Sequence, residues 1–187
     1  MSLTSPETVT STREIYRGRI VTLKVKNVVL HSGRETTRDI IEHPGAVVIV
    51  APDSEGRVAM VRQYRSAVDR FLLEVPAGTR EVGEDAADCA RRELREEMGV
   101  YAANWYPLVD FYSAPGFCTE LLSAYVATDH SPSSTQPEED ELIERIWVPL
   151  STIPDLIASR EIVDAKTIAS LLTFRELDRS GVAPWRA

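Results

Sequence analysis

The chain has 187 residues, 43% of them hydrophobic and 27% charged, and its formal net charge is -8. This length suits one domain with its own hydrophobic core and an appended segment. The acidic balance argues against broad nucleic-acid binding, which needs a basic surface. No apolar run approaches the roughly 20 residues that a membrane-spanning helix needs, so we expect neither nucleic acid nor membrane as a partner.

The N-terminal residues 1–13 are polar and lack the basic start and apolar centre of a secretory signal. We therefore predict a flexible tail and a cytoplasmic protein. Cys89 and Cys118 are too few for a disulfide framework and wrongly spaced for a zinc site, so we expect reduced thiols.

Residues 14–43 are predicted to form an antiparallel β arm that precedes the main domain. Apolar and polar residues alternate from Arg19 to Leu30, HSGRE is typical of a turn, and TTRDIIEH suits a returning strand. The β-branched run GAVVIVAP then predicts a strand buried on both faces, and RVAMVRQYR completes a second hairpin.

A helix is predicted over DAADCARRELREEM, after the short strand FLLEVPAG and the loop REVGE, with Gly99 as its C-terminal cap. Later strands are expected at WYPLVDFYS, LLSAYVAT and LIERIWVPL, with the polar loop HSPSSTQPEEDE before the last. Two helices follow, at about residues 151–159 and 164–179. This order indicates a mixed α/β (α+β) fold, with the main domain over residues 44–180 and a tail over 181–187.

Glu93, Glu96 and Glu97 fall within one turn of the predicted helix, at the rim of its apolar face. Like charges at this spacing repel by about 0.2–0.5 kcal/mol per pair. A divalent cation held by several carboxylates and a substrate phosphate would turn this repulsion into attraction. For RRELREE taken alone, a solvated face with arginine–glutamate pairs is the simpler interpretation.

The wider pattern favours the metal site. Gly78, Glu84, Arg92, Glu93, Glu96, Glu97 and Gly99 are fixed positions of one motif. At about 7% per residue type, their coincidence is expected about once in 10⁸ starting positions. The motif resembles the Nudix box, and the chain resembles a Nudix hydrolase. The segments VRQYR, LLEVPAG, SAPGFCTE and WVPL are similar to the ADP-ribose pyrophosphatase branch, over about residues 14–175.

This resemblance implies a Nudix α/β/α sandwich around a mixed β-sheet, preceded by the antiparallel arm. It also implies a homodimer, whose arms help to build the substrate site, and hydrolysis of ADP-ribose to AMP and ribose 5-phosphate. Pyrophosphatases for other nucleoside diphosphate derivatives, such as nucleotide sugars or dinucleotides, are the alternative. A nucleotide sensor without turnover is a further one.

Residue by residue, the resemblance makes Glu93, Glu96, Glu97 and the Ala77 carbonyl ligands of Mg²⁺, with Mn²⁺ as an alternative ion. It gives Glu84 and Arg92 the role of organising the loop and the helix. In this branch the general base is usually an acidic residue of the late loop, here PEEDE. We select Glu139, with the neighbouring acids Glu138, Asp140 and Glu141 left as alternatives.

Four further residues are candidates for binding the substrate. Arg65, in the QYR match, is the first choice for a direct phosphate contact through its fork of donors. Arg62 and Arg38 are weaker candidates, because ordinary strand-surface charge explains them equally well. Glu120, which closes SAPGFCTE, is a candidate for accepting hydrogen bonds from ribose hydroxyls or for supporting a neighbouring group.

Overall fold

The computed structural model describes residues 6–133 and 143–186, which form two compact units. The first consists of the chain up to Gly45 together with Tyr112–Leu121, and the second of Ala46–Phe111 with Leu122–Ala187. The sequence analysis assigned residues 112–121 to the main domain. In the structure these residues group with the arm.

The first unit is a three-stranded antiparallel sheet in the order β1-β2-β3. Its strands are β1 (Glu7–Arg17), β2 (Thr22–Leu30) and β3 (Glu35–Glu42). The Ile41 N–H donates to the Phe117 carbonyl at 2.7 Å, and the Thr119 N–H donates to the Ile41 carbonyl at 2.9 Å. These bonds tie the segment 112–121 to β3.

Strand β1 corrects the expectation of a tail for residues 7–13. Its register with β2 runs from Glu7 opposite Leu30 to Arg17 opposite Thr22. Apart from its first residue, every residue of β1 is exposed, so ladder hydrogen bonds rather than burial hold the strand. Because this exposed strand consists largely of threonine, serine and charged residues, its composition resembles that of a flexible tail, and the sequence therefore did not predict a strand here.

Most of the remaining elements belong to the second unit. In chain order they are β4 (Ala46–Val50), β5 (Arg57–Arg65), β6 (Arg70–Glu74), β7 (Ala77–Thr79), α1 (Ala86–Glu93), a π-helical turn (Leu94–Met98), β8 (Val100–Tyr112), β9 (Leu121–Pro132), β10 (Ile143–Pro149), α2 (Ile153–Ala158) and α3 (Ala165–Ser180). Short 3₁₀ turns occupy Leu150–Thr152 and Pro184–Arg186.

Strand β4 lies at the centre of the core and is buried along its whole length, as predicted. Val47 and Ile49 pack in one apolar cluster with Leu94, whereas Val48 packs in the opposite cluster with Leu171 of α3. Helices therefore cover both faces of the sheet β7-β4-β9-β8, in which β4 pairs parallel with β9 and antiparallel with β7. The predicted α/β/α sandwich with a mixed sheet is confirmed. A second, antiparallel sheet has the order β10-β5-β6.

Helix α1 begins where the sequence predicts, since the Asp85 side chain accepts a hydrogen bond from the Ala87 N–H at 2.8 Å. Gly99, with φ of 69°, ends the helical segment in the left-handed conformation, as expected. The last turn is π-helical rather than α-helical, which corrects the predicted continuous helix. Such turns are rare and frequently occur at functional sites.

The C-terminal segment is also more ordered than the predicted tail over 181–187. Ala183 is buried, and residues Pro184–Arg186 form a 3₁₀ turn. The Trp185 ring stacks on Phe174 with centroids 5.2 Å apart. The tail prediction is therefore corrected up to residue 186, because this indole completes the core beside α3.

None of the helices within residues 6–133 and 143–186 is long and apolar enough to cross a membrane.

Candidate active site

Glu97 lies in the π-helical turn with only 4% of its surface exposed. Its Oε2 accepts a hydrogen bond from the Ala77 N–H at 3.0 Å. This contact joins the helix to β7, the strand that also contains Gly78. Glu97 is therefore a buried, oriented carboxylate, not an acid at the exposed rim of the helix as the sequence suggested.

Gly78 gives Glu93 the space that its carboxylate occupies. A Cβ atom added at Gly78 would lie 1.9 Å from both Cδ and Oε1 of Glu93, so the Glu93 carboxylate could not keep its position beside any larger residue. The missing side chain therefore allows the carboxylate to lie directly on the strand backbone. Glu93 and Glu97 both contact the backbone of the same short strand.

Arg92 connects the loop before α1 with the acidic turn, residues 93–97, which contains Glu93, Glu96 and Glu97. Its Nε and Nη2 donate to the two carboxylate oxygens of Glu84 at 3.0 and 3.1 Å. Its Nη1 donates to Glu93 at 2.7 Å and to Glu96 at 3.0 Å. One guanidinium thus contacts three carboxylates, those of Glu84, Glu93 and Glu96. Arg92 therefore offsets the repulsion between the carboxylates of Glu93 and Glu96.

Glu84 fixes the loop before α1. Its Oε2 accepts from the Glu81 N–H at 2.9 Å, and its carbonyl accepts from Nε of Arg80 at 3.1 Å. Hydrogen bonding from Arg92 lowers the pKa of Glu84 to about 2. Burial, aided by the negative charge of Glu84, raises the pKa of the Cys89 thiol to about 12. Cys89 is therefore a neutral thiol in the helix core.

Sequence analysis missed Arg145, a residue of β10. Its Nε donates to the Glu97 carbonyl at 2.6 Å, and its Nη2 donates to the Glu96 carbonyl at 3.0 Å. These bonds bind the last carbonyls of the π-helical turn to the sheet. The alternation in IERIWVPL predicted only a strand, because backbone carbonyls leave no sequence signal that marks a partner.

Arg65 makes a bidentate pair with Glu74, a carboxylate that is 1% exposed. Its Nε and Nη2 donate to Glu74 at 2.9 and 2.6 Å. Hydrogen bonding to Glu74 raises the pKa of Arg65, and the charge of Glu97 adds to this effect. Arg65 is therefore already oriented by a buried partner and lies within the electrostatic reach of the acidic turn. Glu74 also binds Lys166, another residue that the sequence analysis missed.

Arg62 is not brought to the acidic turn. It lies three positions before Arg65 on β5, and side chains alternate between the faces of a strand. Its guanidinium forms salt bridges with Glu144 at 3.5 Å and Glu161 at 3.4 Å. Arg62 therefore points to the other face of the sheet.

Two of the predicted substrate residues belong to the first unit. There Arg38 donates to Glu7 at 2.8 Å, and Glu120 lies 3.7 Å from Nε2 of His43. Glu139 and its alternatives Glu138, Asp140 and Glu141 lie outside the described residues.

The donor set around Gly78 fits a hard divalent cation in its chemistry. Three carboxylates and the strand carbonyl of Ala77 supply only oxygen, the ligand type that Mg²⁺ and Mn²⁺ prefer. Among the described residues, no three Asp, Glu, His or Cys side chains are arranged to hold a metal. Glu93 and Glu96 each direct an oxygen to Arg92 instead. These oxygen donors thus fit a cation, provided that the cation displaces Arg92 from Glu93 or Glu96.

Comparison with known proteins connects this geometry to a family. A model of the NUDIX domain matches residues 42–171. The ADP-ribose pyrophosphatase of Bacillus subtilis (strain 168) is 38% identical over 156 residues, which cover 82% of this chain and 84% of that protein. The ADP-ribose pyrophosphatase of Mycobacterium tuberculosis (strain ATCC 25618 / H37Rv) is 39% identical over 167 residues, covering 87% of this chain and 80% of that protein.

A crystal structure of an ADP compounds hydrolase superposes on the fold with a TM-score of 0.85 and 23% identity, over 98% of this chain and all of that one. The matched range of residues 42–171 includes Gly78 and all three acids of the site, Glu93, Glu96 and Glu97. The chain belongs to the Nudix family, as the sequence motif predicted.

Proposed function

We propose that this protein hydrolyses the pyrophosphate bond of ADP-ribose to give AMP and ribose 5-phosphate. The observation that carries this proposal is its 38% and 39% identity to two proteins named ADP-ribose pyrophosphatase, in each case over more than four fifths of this chain. The acidic turn, which packs against β7, supports it because its carboxylates could hold a cation that binds a diphosphate.

Nudix hydrolases generally need a divalent metal, and we propose Mg²⁺, with Mn²⁺ as an alternative. Glu93, Glu96, Glu97 and the carbonyl of Ala77 would hold it. When bound, such an ion lowers the pKa of water and neutralises phosphate oxygens.

The side chains of this protein then have distinct tasks. Glu97 is oriented by the Ala77 N–H, so its position is set before any ligand arrives. Arg92 keeps the neighbouring carboxylates together and balances their charge. Arg65 offers a guanidinium held by Glu74 for contact with a phosphate oxygen. Arg62 is a less favourable candidate because its contacts lie with Glu144 and Glu161.

A general base must accept the proton of the attacking water. We propose Glu139 for this role, from the acidic segment that precedes β10. Glu139→Gln is expected to lower kcat while leaving metal affinity less affected. Glu138→Gln and Glu141→Gln are the matched controls. If either of those lowers kcat and Glu139→Gln does not, Glu139 is not the base.

We also propose that the arm forms a homodimer and that Arg38 and Glu120 contribute to substrate binding from the first unit. Strand β1 supports the dimer, because it is an edge strand that exposes the apolar residues Val9, Ile15 and Tyr16. Light scattering of the purified protein tests the mass. A monomer at micromolar concentration would contradict the dimer. The cytoplasmic location stays a prediction.

The function is tested by incubating the purified protein with Mg²⁺ and ADP-ribose and identifying the products. We expect AMP and ribose 5-phosphate, and the same reaction in oxygen-18 water identifies the phosphorus attacked. A panel of nucleotide sugars and dinucleotides runs in parallel. Faster turnover of a panel member would replace ADP-ribose as the substrate, and no turnover of any would indicate a sensor.

A further inference from the structure

Glu74 is a buried carboxylate with two cationic partners. Only 1% of its surface is exposed, and it accepts hydrogen bonds from Arg65 of β5 and from Lys166 of α3. A buried carboxylate is costly unless it is both paired and hydrogen-bonded. Burial alone would raise the pKa of Glu74, but the bonds from Arg65 and the charge of Lys166 outweigh burial and lower it. Glu74 is therefore ionised.

The first turn of α3 fixes Lys166 in this position. Asp164 caps the helix by accepting from the Thr167 N–H at 2.9 Å, and its Oδ2 also accepts from Nζ of Lys166 at 2.9 Å. Thr167 Oγ1 accepts from the Val75 N–H at 3.1 Å. Val75 directly follows Glu74 and precedes the Pro76–Ala77 step into β7. The helix start is thus bonded both to the carboxylate and to the strand that leads to the acidic turn.

The net charge around Arg65 determines how strongly its guanidinium attracts an anionic ligand. If Arg65 were the sole partner of Glu74, the two would form a neutral pair. Lys166 adds a positive charge beside Glu74 and Asp164 adds a negative one, so the four side chains together are neutral. Without Lys166 they would carry a net negative charge around Arg65. The side chain of Arg65 is 36% exposed, whereas that of Lys166 is 15% exposed. Arg65 is therefore the member of the cluster that solvent or an anion reaches.

We propose that Lys166 is a positioning residue for the diphosphate: by pairing with Glu74 and Asp164, it offsets the negative charge around Arg65, so that the guanidinium held by Glu74 attracts a phosphate of the substrate. This inference rests on the proposed function in one respect, the contact of Arg65 with a phosphate. It assigns no ligand contact to Lys166 itself.

The test measures binding and turnover separately. The Kd of α,β-methylene ADP, a diphosphate that is not cleaved, is determined by calorimetry in Mg²⁺, and KM and kcat are determined with ADP-ribose. Lys166→Met is expected to weaken analogue binding and raise KM by about tenfold, with kcat within about twofold of the wild type. Lys166→Arg keeps the charge and should stay within about threefold of the wild type in both quantities.

The double variant Lys166→Met/Glu74→Gln separates charge from structure. It removes one negative charge together with one positive charge, so the net charge around Arg65 returns to that of the wild type, and the amide oxygen still accepts a hydrogen bond from Arg65. We expect analogue affinity to recover to within about threefold of the wild type, even though the melting temperature falls further. A merely structural role for Lys166 predicts the opposite, with affinity following stability.

Arg179→Met is the matched control, because it removes one positive charge from the exposed last turn of the same helix. It should leave Kd and KM unchanged. Unchanged analogue binding in Lys166→Met, no recovery in the double variant, or no binding by the wild type would overturn the inference. If the expected binding pattern is found and ADP-ribose is not hydrolysed, the proposed function fails and the inference stands.

Discussion

The arm and the acidic turn both contain arginine–glutamate ion pairs, but the pairs differ in how far they are exposed to solvent. On the arm, Arg17 pairs with Glu14 at 2.6 Å, and the two side chains are 66% and 41% exposed. At the acidic turn, Arg92 pairs with Glu84 at 3.0 Å, and the two side chains are 25% and 15% exposed. Water and salt screen the first pair, so it contributes little. The second belongs to a network in which Arg92 also binds Glu93 and Glu96, so several bonds fix its geometry at once.

The comparison teaches that burial and shared partners, rather than the count of ion pairs, distinguish an organised site from a solvated surface. In the sequence, both regions simply place acids and bases within a few residues of each other. The following experiments test the contrast, beginning with the largest expected effect.

Glu97→Gln should lower kcat for ADP-ribose by about 10³-fold, because the loss of a ligand charge removes several kcal/mol of transition-state stabilisation. Gln still offers an oxygen to the Ala77 N–H, so the melting temperature should change little. Steady-state kinetics and calorimetry measure the two quantities. Glu14→Gln on the arm is the control, with unchanged kcat. Near-normal turnover of Glu97→Gln would show that Glu97 is not a metal ligand of the active site.

Gly78→Ala should reduce kcat/KM by about 10²-fold, because displacing a group of the active site by about 1 Å lowers the rate by about this factor. The added Cβ would meet the Glu93 carboxylate at 1.9 Å, and the carboxylate must move away. Gly116→Ala serves as the control for stability, since a Cβ atom added there would meet nothing within 4 Å and the melting temperature should not change. Full activity of Gly78→Ala would show that the Glu93 position is not critical.

Arg92→Met should lower the free energy of unfolding by about 2–4 kcal/mol, because it leaves partly buried carboxylates without their partner. Urea denaturation measures this change. Arg17→Met breaks the exposed pair on the arm and should not shift the denaturation midpoint. Equal effects of the two substitutions would contradict the contrast between the regions.

The smallest effect concerns pH. The pKa of Glu84 is lowered to about 2, so the ionised form stabilises the fold above its unfolded pKa, and this contribution is lost as the pH falls from about 4.5 to about 2. Allowing for partial exposure, the wild type should be more stable than Glu84→Gln by about 2 kcal/mol at pH 7. The difference should disappear near pH 2 in denaturant titrations. A difference that is independent of pH would mean that charge is not its source.

Much of the second unit could be predicted from the sequence because its signals are local and redundant. The run GAVVIVAP has the continuous apolar pattern of a strand buried on both faces, and β4 is buried throughout. Strand β5 covers the predicted RVAMVRQYR without a shift. Gly78 and Glu93 are fixed positions of the motif, and their close approach explains why a glycine stands there.

Other features depend on contacts that no local pattern reports. The π-helical turn is bonded through its carbonyls to Arg145, and the partnership of Glu74 with Lys166 joins residues that are distant in the chain. The separation of Arg62 from Arg65, in contrast, was available from the sequence. Two residues three apart on a strand point to opposite faces, so Arg62 and Arg65 lie on different sides of the sheet.

The parallel pairing of β4 with β9 has a consequence for how this chain folds. Val50 lies opposite Val126, so the central strand gains its second neighbour only after most of the polypeptide has been made. Distant pairings of this kind close a long loop and form late. We therefore expect one edge of the apolar strand β4 to stay unpaired during synthesis until β9 has been made. Pairing with β9 then removes an exposed edge that could aggregate.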